Sequence, residues 1–130
     1  MRTSIAIAIA LMSATAAEGQ GQTRTRTVVS GQTIRLGFYD ATNPDCSAVG
    51  RTTIRLTRAP EHGRATVTQT TGFPNFRQSN VRSVCNTRRV AGAAINYTSQ
   101  RGFVGTDSLQ AEVIFGSGSA RQVSYTINVR

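Results

Sequence analysis

Apolar and polar residues alternate one for one along much of the chain, which is the pattern of β-strands that bury one face. The alternation is clearest in two runs near the C-terminus, 109–115 and 123–129. The glycine- and serine-rich segment 116–119 separates them and predicts the turn of a hairpin. One apolar and one polar face per strand indicate an antiparallel sheet with one side in contact with water.

Five further segments show the same alternation between turn residues. They are 25–30, 32–38, 51–58, 64–70 and 93–98. The residues expected to point inward in them are Ile34, Leu36, Phe38, Ile54, Leu56, Ala65, Val67, Ile95 and Tyr97. Seven short strands at this spacing predict an all-β, antiparallel sandwich, although a closed barrel would alternate in the same way. No segment after residue 17 has the pattern of a helix.

The first 17 residues have the features of a secretory signal peptide. Arg2 supplies the positive start, residues 5–12 form a short apolar run, and small residues favour cleavage after Ala16 or Ala17. The run is about half the roughly 20 residues that a membrane span needs, which argues against an anchor. We therefore expect a single exported domain, 18–130, that is periplasmic or secreted.

The charged residues and cysteines fit that compartment. All 15 basic residues are arginines, against six acidic residues, which is typical of a GC-rich bacterial gene. The two cysteines, Cys46 and Cys85, are expected to pair in an oxidising compartment. The bridge would close a loop of about 40 residues and contribute about 4 kcal/mol. A redox or metal site is the alternative, but C-x-x-C is missing and one histidine cannot complete a zinc shell. We predict no metal and no cofactor.

Three motifs give the second half a family resemblance. They are Pro60-Glu61-His62-Gly63, Ile95-Asn96-Tyr97-Thr98 and Phe103-Val104-Gly105-Thr106-Asp107-Ser108-Leu109. Over residues 30–130 the chain resembles the Ig-like and cadherin-like repeats of bacterial surface and secreted proteins. The resemblance implies an Ig-like sandwich in which Phe103, Gly105 and Asp107 form a structural corner. Those repeats are usually acidic and in tandem, whereas this is one basic module, so calcium between modules is not expected.

The sequence gives little support for a catalytic site or a calcium site. Glu61, His62 and Arg64 are residue types that small secreted ribonucleases use, but neighbours in a turn at a strand edge point apart. Asp40 and Asp45 are the carboxylates of a loop that could contribute to a calcium site, yet both residue types are common in turns. We therefore predict no catalysis.

The arginines are the main candidates for binding. The candidate residues are Arg51, Arg55, Arg77, Arg82, Arg88 and Arg89. Four of them lie in the long stretch 72–92, and the predicted disulfide would draw that stretch towards the loop 43–50. The resulting positive patch would suit carboxylate, sulfate or phosphate groups. Simple solvation of the sheet faces is the alternative.

These observations predict a non-catalytic, Ig-like binding module that recognises an acidic protein or an anionic glycan in the bacterial envelope or medium. Nucleic acid is disfavoured, because the protein is exported and the aromatic residues Phe73 and Phe76 are too few for base stacking. A second hypothesis is an assembly subunit that pairs through a sheet edge, since the closing strand runs to the last residue. A small ribonuclease-like enzyme is a third hypothesis, and an inhibitor of a secreted enzyme is a fourth.

Overall fold

The computed structural model describes residues 21–130. They form seven β-strands and one short 3₁₀ helix, joined by loops. The elements in chain order are β1 Gln22–Val28, β2 Thr33–Tyr39, β3 Thr53–Arg58, β4 Gly63–Gly72, the 3₁₀ helix Val81–Thr87, β5 Val90–Ser99, β6 Gly105–Ile114 and β7 Ala120–Val129. The predicted signal peptide, 1–17, lies outside the described residues. Within 21–130, no helix is long and apolar enough to cross a membrane.

The strands form two sheets, in the orders β1-β7-β6-β3 and β2-β5-β4. This arrangement and the Cys46–Cys85 disulfide confirm the predicted all-β sandwich of about seven strands with one bridge. The 3₁₀ helix is an addition, because the sequence predicted no helix. Its seven residues are too few for a helical period to show in the pattern.

One strand pair differs from the predicted antiparallel arrangement. β1 runs parallel to β7, with Gln22 opposite Val123 and Val28 opposite Val129. The alternation of threonine and arginine in β1 specifies which side of the strand faces the core. It does not specify whether the strand runs parallel or antiparallel to its neighbour. The pairing also places β7 between β1 and β6. The prediction that the closing strand offers a free sheet edge is therefore wrong, because both of its neighbours are already present.

The core lies between the inner faces of the two sheets. The predicted inward residues of the C-terminal hairpin are buried: Leu109, Ala111, Val113, Val123, Tyr125, Ile127 and Val129. The middle strand of the other sheet, β5, contributes Ile95 and Tyr97, both fully buried. Ile34, Ile54, Leu56 and Ala65 are partly buried and pack against this core, as their positions in the pattern predict.

The alternation fails in β2. Its register shifts between Arg35 and Gly37, as in a β-bulge. Leu36 lies at the shift, without a partner on β5, and is buried, and Tyr39 is buried after the shift. The prediction that Phe38 points into the core is wrong, because the extra residue turns the strand over at this point.

A glycine is needed at the bulge. A Cβ atom at position 37 would overlap the hydroxyl of Tyr125 and crowd the ring of Tyr39. The hydroxyls of Tyr39 and Tyr125 hydrogen-bond each other across the two sheets. Phe38 meanwhile lies on the outer face, against Gly72 of β4. The bulge therefore lets two buried tyrosines satisfy each other in the core.

On each open side of the sandwich, one side chain bridges the two sheets. On one side, Arg26 of β1 donates from Nε to the carbonyl of Leu36 in β2, over 3.1 Å. On the other, Gln69 of β4 donates from Nε2 to the carbonyl of Thr52 before β3, over 2.8 Å. Each bond links the edge of one sheet to the edge of the other. Carbonyls occupied in this way are not open to an added strand.

Asp107 organises the end of the sandwich where β3 turns into β4. Its carboxylate accepts the backbone N–H groups of Glu61 (3.1 Å), His62 (3.0 Å) and Ser108 (2.9 Å), and the hydroxyl of Tyr97 (2.7 Å). Burial opposes its ionisation, but these hydrogen bonds outweigh burial and hold the pKa of Asp107 below its ordinary value. The turn and the strand β6 are thereby fastened together.

The neighbouring residues of the predicted corner complete this packing. The ring of Phe103 stacks on that of His62, with centroids 4.0 Å apart and planes 3° from parallel. Gly105 has a φ of 147°, where side chains are disfavoured. Burial, and then the hydrogen bond to Asp107, raise the pKa of Tyr97 well above its ordinary value. The structure thus brings Phe103, Gly105 and Asp107 into one corner.

Candidate binding surface at the loop end

Three loops lie together at the end of the sandwich opposite the Asp107 corner. They are 40–52 between β2 and β3, 73–89 between β4 and β5, and 115–119 between β6 and β7. We call this the loop end. Loops carried by a rigid scaffold are the usual location of binding residues.

Covalent and polar contacts hold these loops against each other. The Cys46–Cys85 disulfide joins the first loop to the second, with Cα atoms 5.5 Å apart. Arg82 donates from Nε to the carbonyl of Thr42 over 2.7 Å, which adds a second link between the same two loops. The third loop packs on the first at Gly116, where a Cβ atom would overlap the carbonyl of Val49.

The 3₁₀ helix is held firmly within the second loop. The side chain of Asn80 caps it by accepting the N–H of Arg82 over 2.8 Å. Cys85 faces inward and is fully buried. Asn86 donates to the carbonyl of Phe76 over 2.9 Å and accepts its N–H over 2.8 Å. The extended part of the loop is therefore fixed to the helix through both the N–H and the carbonyl of Phe76.

Three large apolar side chains of this loop are exposed among its polar and arginine side chains. Val81 and Val84 are each 66% exposed, and residues three apart lie above one another on a 3₁₀ helix. Phe73 in the same loop is 54% exposed, with the guanidinium of Arg89 5.0 Å from its ring centroid. We call Phe73, Val81 and Val84 the apolar ridge. The sequence does not single out the two valines, because isolated valines in a long loop show no periodicity.

The six arginines predicted as binding residues have different roles. Arg77, Arg88 and Arg89 are exposed on the second loop, and we call them the loop-end arginines. Arg82 is partly buried and bonded to Thr42, so it holds the loops together. Arg51 lines a separate cleft of about 260 Å³ beside Gln69. Arg55 lies on β3, outside the loops, and pairs with Glu112 over 3.6 Å.

The loop end carries a surplus of positive charge. From His62 to Thr106 the sequence contains arginines but neither aspartate nor glutamate. Among residues 21–130, one arginine lies within 4.0 Å of a carboxylate, and it is Arg55. The hydroxyl and N–H of Ser47 bond the carboxylate of Asp45 and lower its pKa. The loop-end arginines are thus available to an anionic partner.

A second arginine site lies nearby and was not predicted. Arg24 of β1 and Arg121 of β7 line a cleft of about 280 Å³ together with Asp40 and aromatic rings. The two guanidinium groups are 5.9 Å from the ring centroid of Tyr39 and 5.5 Å from that of Phe115, respectively. The parallel pairing of β1 and β7 brings these residues together. An antiparallel pairing of the same two strands would place the start of β1 at the other end of β7.

The residues considered for catalysis lie at the far end, near the Asp107 corner. The Oε2 of Glu61 is 3.9 Å from the Nε2 of His62. Glu61 and Arg64 line a cleft of about 330 Å³, and His62 stacks on Phe103 and is not among the residues that line it. The three side chains therefore do not converge on one cleft.

Comparisons with known proteins leave the function to be argued from these residues. No family model matches the chain, and no curated protein has a significantly similar sequence. The solution structure of Amebosin is 12% identical and covers 86% of this chain and 100% of its own, with a TM-score of 0.46. The structure of PbICP-C in complex with falcipain-2 is 10% identical and covers 92% of this chain and 96% of its own, with a TM-score of 0.36.

Proposed function

We propose that this protein is an exported binding module without catalytic activity, and that its loop end recognises an acidic protein. The observation that carries the proposal is that one loop without acidic residues exposes both the apolar ridge and the loop-end arginines, with Arg89 over the ring of Phe73. Large apolar side chains that stay more than half exposed are a mark of interaction surfaces when they lie together. Arginine and aromatic residues are enriched in such surfaces.

The apolar ridge favours a protein over an anionic glycan as the partner. A sulfated or uronic acid chain would use the arginines but would leave Val81 and Val84 without apolar contacts. A protein segment that combines acidic and apolar side chains would satisfy both. The arginines would then orient the partner and speed its association, while the ridge would supply apolar burial.

The construction of the loop end supports binding in a preformed conformation. The disulfide, the bond from Arg82 to Thr42 and the two bonds of Asn86 fix the second loop before any partner arrives. A partner therefore spends less free energy on ordering this surface. The disulfide also fits an oxidising compartment, which agrees with the export predicted from the N-terminal residues.

The test compares two triple variants that lose the same charge. One replaces the loop-end arginines, as R77A/R88A/R89A. The other replaces exposed arginines near the opposite end, as R64A/R101A/R130A. Each purified protein, with its disulfide formed, is passed over immobilised poly-glutamate, an alternating glutamate–leucine peptide and heparin, and is eluted with a salt gradient.

We expect the wild-type protein to be retained most strongly by the glutamate–leucine peptide. R77A/R88A/R89A should elute at clearly lower salt, and the control triple variant should elute close to the wild type. V81S/V84S should lose only the preference for the peptide that contains leucine. Equal losses in both triple variants would show that net charge alone causes retention and would refute the proposal. Stronger retention on heparin, unchanged in V81S/V84S, would replace the protein partner with a glycan.

A further inference from the structure

The cleft between Arg24 and Arg121 has the features of a ligand site separate from the loop-end arginines. Both guanidinium groups lie over aromatic rings, and neither is within 4.0 Å of a carboxylate among residues 21–130. Arginine presents a planar fork that can bind a carboxylate through two parallel hydrogen bonds. Two such groups at one cleft are poised for an anion.

The charges around the cleft select for a single negative charge. Arg24 and Arg121 contribute two positive charges, and Asp40 contributes one negative charge to the same lining. The Oδ2 of Asp40 accepts the hydroxyl of Thr42 over 2.6 Å, which holds this carboxylate in place. The lining therefore has one net positive charge, which a monocarboxylate would neutralise. A dianion such as sulfate would leave one negative charge uncompensated beside Asp40.

Aromatic rings and polar groups share the walls of the cleft, which suits a small ligand that combines an aromatic ring with a polar group. Phe38, Tyr39, Phe76 and Phe115 line it. Its volume of about 280 Å³ lies just below the roughly 300–1,000 Å³ of sites for drug-sized ligands. One ring with a short acid chain matches that space.

Hydrogen bonds keep the walls in position. The hydroxyl of Tyr39 is bonded to that of Tyr125 in the core. The backbone of Phe76 is bonded in both directions to the side chain of Asn86. These bonds restrain two of the walls, as is common in small-molecule sites, which are usually largely pre-formed.

We propose that this cleft binds a monocarboxylate carried on an aromatic group, with Arg24 and Arg121 holding the carboxylate. A free arylalkanoic acid and a peptide that ends in phenylalanine share this chemistry. The inference goes beyond the proposed function, because it requires neither the apolar ridge nor the loop-end arginines.

The experiment is a titration of the isotope-labelled protein followed by NMR shifts of the backbone amides. The probes are 3-phenylpropionate, its neutral amide, acetyl-Gly-Gly-Phe with a free carboxylate, and sulfate. The test variant is R24A/R121A, and R64A/R101A is the control with the same loss of charge. D40N is a third variant, which keeps an oxygen for Thr42 while removing the negative charge.

We expect saturable shifts at Arg24, Asn75 and Arg121 with either carboxylate probe, and the probe that binds more tightly identifies the source of the ligand. R24A/R121A should weaken binding at least about tenfold, and R64A/R101A should leave it unchanged. D40N should strengthen binding of the carboxylate and admit sulfate. The proposal predicts tighter binding in D40N, so this variant tests the proposal even if R24A/R121A folds poorly.

Three results would overturn the proposal. They are equal binding of the neutral amide, unchanged affinity in R24A/R121A, and the lack of saturable shifts at millimolar probe. The result is independent of the loop-end experiment. R77A/R88A/R89A should still bind 3-phenylpropionate, and R24A/R121A should still prefer the glutamate–leucine peptide.

Discussion

Replacing Asp107 with alanine tests the corner that fixes the end of the sandwich away from the loops. The carboxylate accepts four hydrogen bonds, and three of them come from other parts of the chain: Glu61, His62 and Tyr97. Alanine would leave the fully buried hydroxyl of Tyr97 without its strongest partner. It would also release the turn that begins β4.

The expected cost follows from those contacts. A hydrogen bond to a charged group contributes about 1.5–3 kcal/mol, and a buried polar group without a partner costs about 1–3 kcal/mol. In the variant, the N–H of the exposed Glu61 can form a hydrogen bond with water. Losing its bond to Asp107 therefore adds little to the destabilisation. We expect D107A to lower the free energy of unfolding by about 3–5 kcal/mol, with a fall in Tm of roughly 15 °C.

Urea denaturation followed by circular dichroism would measure this loss, with Y97F and the double variant D107A/Y97F alongside. Y97F alone should cost about 1–2 kcal/mol, because the other three donors stay in place. The double variant should cost less than the sum of the two, because both substitutions remove the same bond.

The pH dependence provides a control. The pKa of Asp107 is lowered by folding, so its contribution is present above the unfolded value, near 3.8, and is lost as the pH falls below it. The gap between the wild type and D107N should therefore narrow in acid. A loss below about 1 kcal/mol for D107A, or strict additivity with Y97F, would refute the reasoning.

Three further outcomes are expected elsewhere in the chain. Burial raises the pKa of Tyr97 and Tyr125, so above pH 10.0 the unfolded chain releases protons that the folded chain retains; stability followed by circular dichroism should fall as pH rises beyond that value. G37A should lose about 1–3 kcal/mol in urea denaturation, because the added methyl group meets the hydroxyl of Tyr125. N86A should cost about 1–2 kcal/mol and speed hydrogen exchange at the amide of Phe76, whose backbone it releases.

Much of the fold was predictable, because local alternation determines which side of a strand is buried. The hairpin of β6 and β7 follows the pattern residue by residue, from Leu109 to Val129. Phe38 does not point into the core as the alternation predicts, because one extra residue at the bulge reverses the side of every later side chain in β2. The direction of β1 was not predictable, since it depends on a neighbour about 100 residues away in the chain.

The candidate site was less predictable for the same reason. The pairing of Cys46 with Cys85 followed from there being two cysteines and an expected export. The count of arginines indicated a positive surface, but their sequence positions did not separate the structural Arg82 from the exposed Arg88. The cleft of Arg24 and Arg121 depends on the parallel strand pair, which no local pattern encodes.

The position of the disulfide has a practical consequence for preparing this protein. The bridge joins two loops and no strand, so the core between the sheets contains no covalent link. A preparation made in a reducing cytoplasm can therefore have a normal β-sheet spectrum while the loop 73–89, which carries Arg77 and Val81, is no longer covalently joined to the loop 40–52. A count of free thiols, and not the spectrum, distinguishes a sample with a native loop end from one without it.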